Sequence, residues 1–460
     1  MKTYYIQTYG CQMNYSDSER IQAYLNSLNL KPAKTLQKAD LILLNTCSVK
    51  QKAEDKVLGQ LRKIHKLKNP ITAITGCMAR TTSSRYSALR DSLFTKLPQL
   101  DLVIKNDELP QLASLLRELN PKLKIKHIKE ESLTDYLKIK AAHNSTTTKS
   151  QALIPISNGC DKFCTYCIVP YARGREKSRP INEILTEAEQ LVSKGTKEIT
   201  LVGQTVNSYG KSVYDKQHNT FKNLKTDPFT HLLKKLDQLH KKGLKRLRFT
   251  SPHPKDMTPN LIETLASLPT IMPYIHLPLQ SGSDTVLKRM NRSYTTSQYK
   301  KIILSLRKAI PGISISTDII VGFCGETEKE FNETLALFKE LNFEFAYLAK
   351  YSNRKGTTAD RFLKDDIPIQ TKKKRWDLLN EQLKKQSKNS LKNFVGKTVH
   401  VLVETKSNNK YSGRSEHFKT VQFCTPKPVK SRTSTGLLLG KIVPIKITKS
   451  HLWHLEGKLT

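Results

Sequence analysis

Gly159-Cys160-Asp161-Lys162-Phe163-Cys164-Thr165-Tyr166-Cys167 carries three cysteines in the spacing C-x3-C-x2-C. A closed tetrahedral zinc site takes four ligands; this loop supplies three thiolates, so one corner of whatever it binds stays open. An open corner on a thiolate-held centre implies chemistry. Soft sulfur ligands select zinc or iron–sulfur clusters, and a loop of three suits a [4Fe–4S] cube whose fourth iron accepts an outside ligand. The competing reading is a zinc site that draws its fourth ligand from His253 or His276, although no second local ligand pair is present.

Downstream of this loop and just before it, strands and helices alternate. Candidate strands are 152–157, 198–203, 246–250, 274–279, 314–322 and 343–351, and helical periodicity runs through 182–194 and 297–309. Six such units make a partial parallel barrel rather than a closed eight-fold one. Polar residues gather where the strands end: Gln204 and Asn207, Ser251 and His253, Gln280 and Ser281, then Glu326. Carboxyl-end loops of parallel barrels hold the chemistry, so these are candidate contacts for cofactor and substrate. Each can equally cap a helix, and Ser251-Pro252-His253-Pro254 is also an ordinary turn sequence.

Upstream, Cys11, Cys47 and Cys77 each sit just past a predicted strand, at Tyr4 to Tyr9, Leu41 to Leu44 and Ile71 to Thr75. Ser16-Asp17-Ser18-Glu19 reads as a capping box ahead of Ile21, Leu25 and Leu28, and Ala53, Val57, Leu61 and Ile64 recur at helical spacing. The intervals of 36 and 30 positions between the cysteines each match one strand-helix-strand unit. Parallel strands would bring all three thiols to one carboxyl edge of a sheet, where α/β folds bind ligands. They form a second site, or they are three small buried hydrophobes.

The C-x3-C-x2-C loop resembles the signature of the radical S-adenosylmethionine enzymes. In that superfamily the open iron chelates S-adenosylmethionine, whose reductive cleavage gives a 5′-deoxyadenosyl radical; the aromatic before the last cysteine, here Tyr166, packs beside the adenine. Tyr9-Gly10-Cys11-Gln12-Met13-Asn14, Asn45-Thr46-Cys47-Ser48-Val49-Lys50 and Gly76-Cys77-Met78 resemble the N-terminal domain of the methylthiotransferases. Together with Pro170-Tyr171-Ala172-Arg173-Gly174-Arg175-Glu176, they make the chain similar over nearly its whole length to the MiaB-type tRNA methylthiotransferases. The resemblance implies two [4Fe–4S] clusters, a radical one on Cys160, Cys164 and Cys167 and an auxiliary one on Cys11, Cys47 and Cys77. It also implies two molecules of S-adenosylmethionine, one the radical source and one the methyl donor, with Tyr166, Gln204, Gln280, Ser281 and His253 as candidate contacts. The expected reaction adds a methylthio group to C2 of dimethylallyl-adenosine beside the tRNA anticodon. Related enzymes that act on threonylcarbamoyl-adenosine or on a ribosomal protein, and a non-catalytic iron–sulfur RNA-binding protein, are the alternatives. A sulfur source and an electron donor such as flavodoxin or ferredoxin are expected partners. Cys324 stands where the family usually has proline; it and Cys424 lack clustered partners and read as structural.

Lys+Arg 78 against Asp+Glu 40 gives a net charge of +38, which points to a polyanionic partner such as nucleic acid. The start lacks the apolar core of a signal peptide, and no stretch approaches the ~20 apolar residues of a membrane span, so a cytoplasmic protein with no membrane partner is expected. Residues 371–392 read as a lysine-rich helix with Trp376, Leu379 and Leu383 at core spacing. Beyond it, short strands at 398–404, 413–416, 420–423 and 441–448 suggest a small antiparallel barrel, similar to the TRAM domain, in which Arg414, Lys419 and the basic tract 427–432 are candidate RNA contacts. The expected fold class is therefore α/β: an N-terminal parallel-sheet domain at 1–118, a linker at 119–145, a partial (β/α)6 radical S-adenosylmethionine barrel at 146–378 and a TRAM-like barrel at 389–458.

Overall fold

The computed structural model describes residues 2–48, 51–67, 70–87, 91–121, 125, 136–143, 149–425 and 438–460. Much of the expected linker (122–124, 126–135, 144 and 145), the basic tract 427–432, and Val49 and Lys50 lie outside the described residues. Strands β1 (Thr3–Thr8), β2 (Lys31–Pro32), β3 (Leu41–Thr46), β4 (Ile71–Gly76), β5 (Ser83–Ser84) and β6 (Leu102–Val103) form one sheet in the order β2-β1-β3-β4-β6-β5. β1, β3 and β4 are parallel neighbours, with Tyr4 opposite Leu41 and Leu41 opposite Ile71. Every residue of β3 is buried, as a central strand covered on both faces requires. Leu41 and Leu43 pack with Ile21 and Leu25 of the helix Gln12–Ser27; Ile42 and Leu44 pack with Val57 and Leu61 of the helix Gln51–Ile64.

The first helix begins earlier than its sequence suggests. Cys11 stands at its cap, where the backbone N–H donates to Asn14 Oδ1 at 3.3 Å, and Ser16 and Glu19 are buried inside the helix. Cysteine is not among the usual capping residues, so the Ser16-to-Glu19 pattern outweighed it in the sequence.

The central strands are β7 (Gln151–Pro155), the short pair β8 (Ser157–Asn158) and β9 (Lys177–Ser178), β10 (Glu198–Val202), β11 (Arg246–Phe249), β12 (Tyr274–His276), β13 (Ser314–Val321) and β14 (Phe345–Lys350). Six of them are parallel and form two arcs, β7-β10-β11 and β12-β13-β14, joined among the described residues by the bridge of Leu247 to Ile271. Residues of alternate parity divide the strands: Ile199, Leu201 and Leu247 face the outer helices, while Glu198, Arg246 and Arg248 face inward. The helix Ile369–Lys392 then leads to β15 (Thr398–Ser407), β16 (Lys410–Ser415), β17 (Thr420–Cys424), β18 (Ile442–Ser450) and β19 (Leu455–Leu459), a closed barrel in the order β15-β16-β17-β19-β18. One pair, β17 with β19, is parallel, against the all-antiparallel expectation, because the last strand crosses to close the barrel.

The terminal barrel seats on the amino ends of the central strands. Glu198, the first residue of β10, accepts from Arg248 Nε (3.0 Å) and lies 3.5 Å from Arg246. Those guanidinium groups reach on to the carbonyls of His400 (2.6 Å) and Ser415 (3.0 Å), and Phe418 stacks on Tyr274 at 4.6 Å. A cavity of about 410 Å³, lined in part by Lys197, Lys245 and His400, lies on this seam. The carboxyl ends, opposite, are left to the cysteines and the N-terminal sheet.

Candidate active site at the carboxyl ends

In the N-terminal sheet the three cysteines follow parallel strands, and glycines admit the turns. Gly10 (φ +139°) and Gly76 (φ +85°) precede Cys11 and Cys77; a Cβ at Gly76 would stand 2.3 Å from the Thr46 carbonyl oxygen. Two asparagines lock the segments together. Asn14 Nδ2 donates to Asn45 Oδ1 and to the Thr46 carbonyl, both at 3.0 Å, and Asn45 Nδ2 donates back to the Asn14 carbonyl at 2.7 Å. Cys77 N–H donates to the Thr46 carbonyl (2.9 Å), and Ser48 Oγ and Arg80 donate to the Cys77 carbonyl (3.1 and 2.8 Å). Cys11 is the exposed member of this triad, and Cys47 and Cys77 are buried.

The C-x3-C-x2-C loop is held from both arcs. Cys160 N–H donates to the Gly174 carbonyl (3.2 Å) and Asp161 binds Arg175 (2.6 Å). Lys162 pairs with Asp256 at 2.6 Å. From the second arc, Met290 accepts the Thr165 N–H (3.1 Å), Asn291 Nδ2 donates to the Phe163 carbonyl (2.9 Å), and Arg292 donates to Cys164 Sγ at 3.3 Å. Cys160 Sγ lies 3.3 Å from Thr205 Oγ1. Burial raises the Cys160 thiol to about 11 and Cys167 higher still, so binding of a soft metal must displace protons from these sulfurs. Beside them, burial raises the carboxyl of Glu176 to about 8, although Ser208 Oγ lies 2.8 Å from both its oxygens.

The donor sets fit clusters better than single ions. Zinc–sulfur bonds of about 2.3 Å put tetrahedral sulfurs about 3.8 Å apart. Among the described residues the set of three His, Cys, Asp or Glu ligand atoms within 4.8 Å is His451, His454 and Glu456 of the terminal barrel; neither cysteine triad is drawn that close. His253 and His276 complete no such set. His276 instead contacts Ser316 and Asp318 (2.9 and 3.2 Å).

The strand-end residues divide by what already occupies them. Gln204 keeps a buried Oε1 without a partner, aimed from the loop that carries Thr205. Tyr166 packs edge-on to Phe323 and belongs to the apolar cluster of Met290, Tyr351 and Cys324. Gln280 adopts φ +72° and its backbone bonds to β13, donating to the Asp318 carbonyl at 2.8 Å. Ser281 Oγ is engaged by Thr334 and the Ser283 N–H, and Glu326 is bound by Arg375 and the Gly322 N–H, so both organise their loops. His253 exchanges bonds with Asn207 (2.7 and 2.9 Å), and burial with Arg292 nearby lowers its pKa to about 2, leaving the ring neutral. Lys419 is turned to Glu344 of the central barrel, and Arg414 lies over Phe418 and 3.9 Å from Glu404. Asn14, Asn45, Thr205, Arg292 and Arg173 were not singled out as site residues in the sequence; the first two and Arg173 stand within the cysteine motifs, which was the available signal.

The radical S-adenosylmethionine superfamily model matches residues 154–338, and the one described as uncharacterized protein family UPF0004 matches 3–104. The chain is 41% identical to the tRNA-2-methylthio-N(6)-dimethylallyladenosine synthase of Dictyoglomus thermophilum, over 100% of this chain and 99% of that one. It is 40% identical to the protein of the same name from Clostridium botulinum (strain Hall), covering 99% and 96%, and 38% identical to that of Bacillus subtilis, covering 100% and 86%. Among solved structures, the radical S-adenosylmethionine methyltransferase TsrM of Kitasatospora setae, with tryptophan and an analogue of S-adenosylmethionine bound, shares the fold at a TM-score of 0.52. The identity is 12%, over 76% of this chain and 73% of that one.

Proposed function

Because the chain belongs to the family of tRNA-2-methylthio-N(6)-dimethylallyladenosine synthases, radical S-adenosylmethionine enzymes of the methylthiotransferase type, we propose that it adds a methylthio group to C2 of dimethylallyl-adenosine beside the anticodon of tRNA. The observation that carries this reading is the pair of cysteine triads at facing carboxyl edges, in a chain aligned end to end with those synthases. The cofactors are two [4Fe–4S] clusters and S-adenosylmethionine, and the partner is tRNA. When bound, these groups supply a 5′-deoxyadenosyl radical, able to remove an unactivated aryl hydrogen, and a sulfur to take its place.

The protein's own part is to hold and shield. Cys160, Cys164 and Cys167 would hold the radical cluster, with Arg292 and Thr205 steadying two of the sulfurs. Cys11, Cys47 and Cys77 would hold the auxiliary cluster, with Asn14 and Asn45 fixing their spacing. The orphaned Gln204 Oε1 would accept from an N–H of S-adenosylmethionine, and Tyr166 would pack beside the adenine. The substrate base lies in a loop whose unstacked bases are reached without opening a helix. An external reductant of the flavodoxin or ferredoxin class and a sulfur donor complete the cycle.

The test is mass spectrometry of tRNA nucleosides from a strain lacking the gene. The methylthio form should vanish while dimethylallyl-adenosine accumulates; unchanged nucleosides would refute the assignment. With purified protein, anaerobic reconstitution should load about eight irons per chain.

A further inference from the structure

Three residues in succession link the two cysteine triads. Ala172 packs with Ile168 against Cys77 of the N-terminal sheet; Gly174 receives the Cys160 N–H; Arg173 lies between them. Its guanidinium is buried, with only 2% of the side chain exposed, and crosses the domain boundary to Asp17 of the first helix, whose side chain is wholly enclosed. The pairing is two-pronged, Nη1 to Oδ1 at 3.4 Å and Nη2 to Oδ2 at 2.5 Å, and Nη1 also reaches Asn158 Oδ1 at 3.2 Å. Tyr136 adds its hydroxyl to Asp17 from the connector. A planar fork against a carboxylate is the geometry that fixes orientation as well as distance, and a pair this enclosed is little screened by salt.

We propose that Arg173 is a positioning residue that couples the two triads: clamped by Asp17, it seats the N-terminal sheet over the C-x3-C-x2-C loop and sets the electrostatic field on the group held by Cys11, Cys47 and Cys77. The inference rests on the functional reading above, since it concerns the auxiliary cluster. Ala172, the residue before Arg173, packs against Cys77, so the chain brings the Arg173 charge in beside that site. Reduction adds negative charge to a thiolate-bound cluster, so a buried cation beside it favours the reduced form and a buried anion opposes it.

The opposed signs give the test. In anaerobically reconstituted full-length protein, a redox titration followed by electron paramagnetic resonance assigns to the auxiliary cluster the signal that S-adenosylmethionine leaves unchanged. R173Q should move that midpoint to lower potential and D17N to higher potential, with the double variant D17N/R173Q returning towards wild type. R173K, which keeps the charge without the fork, should stay near the wild-type potential but release more 5′-deoxyadenosine per methylthio group made. Loss of packing alone would drive R173Q and D17N in the same direction; that result, or two unmoved midpoints, overturns the proposal. If R173Q does not hold iron, the upward shift of D17N decides by itself. A wild-type chain that assembles one cluster would instead refute the functional reading, whereas about eight irons with unmoved midpoints would refute only the role of Arg173.

Discussion

Glu176 lies buried beside the radical triad with a carboxyl raised to about 8 by burial. A folded state that retains this proton is favoured below the ordinary carboxyl pKa and loses that advantage as pH rises through about 8, each tenfold difference in proton affinity between the folded and unfolded chain being worth about 1.4 kcal/mol. Glu176→Gln should therefore flatten the fall in stability between about pH 5 and 8 and leave the variant more stable than wild type by roughly 2 kcal/mol at pH 8; chemical denaturation of the iron-free protein across that range measures it. The cysteines divide differently. Cys47→Ala should preserve reductive cleavage of S-adenosylmethionine and abolish methylthio transfer, checked by quantifying 5′-deoxyadenosine and modified tRNA in one reaction. Both triads were legible because thiolate spacing and strand-end placement are local properties. Arg173 and Asp17, 156 positions apart, were not: only tertiary packing brings them together.

At the scale of elements, the six central strands fall where apolar alternation put them, because β-branched runs bounded by turn residues have few competing solutions. The misses have specific causes. β19 holds one buried residue, Leu455, and so shows no period; β5, two serines, has no strand composition at all. The seam beneath the barrel was equally hidden, since nothing local to the strand 246–250 shows that Arg246 and Arg248 share Glu198. Burial opposes the Glu198 charge, and Arg248 and Arg246 overcome it, holding the carboxylate below its ordinary value. Arg248→Met should leave that carboxylate poorly compensated and destabilise the protein by about 3 kcal/mol. A thermal melt with intact iron content in the surviving fraction is the measurement.

Across the whole molecule, the positive charge has a definite outlet on the terminal barrel. Lys446 and Lys458 are exposed and directly opposed across β18 and β19, a like-charge pair that is unfavourable unless an anion lies over it. Replacing both with Gln should weaken tRNA binding and reduce the slope of affinity against salt by about 1–2, read from binding isotherms at several salt concentrations. Removal of residues 393–460 would not isolate this effect, because it bares Arg246, Arg248 and Tyr274 at the seam.

The cysteine loop also has a mechanical meaning. The barrel is an arch of two spans that meet at the bridge of Leu247 to Ile271, and the loop reaches from the first span to grip Met290, Asn291 and Arg292 on the second. Bound iron would make that loop a keystone. When oxygen strips the metal, the arch should slacken at its crown, and a protease should cut near 268–272 faster in iron-free than in loaded protein, as gel-resolved digestion would show. On that outcome the loss of metal and the exposure to degradation would be one event: the molecule that can no longer make a radical would be the one that opens to a protease.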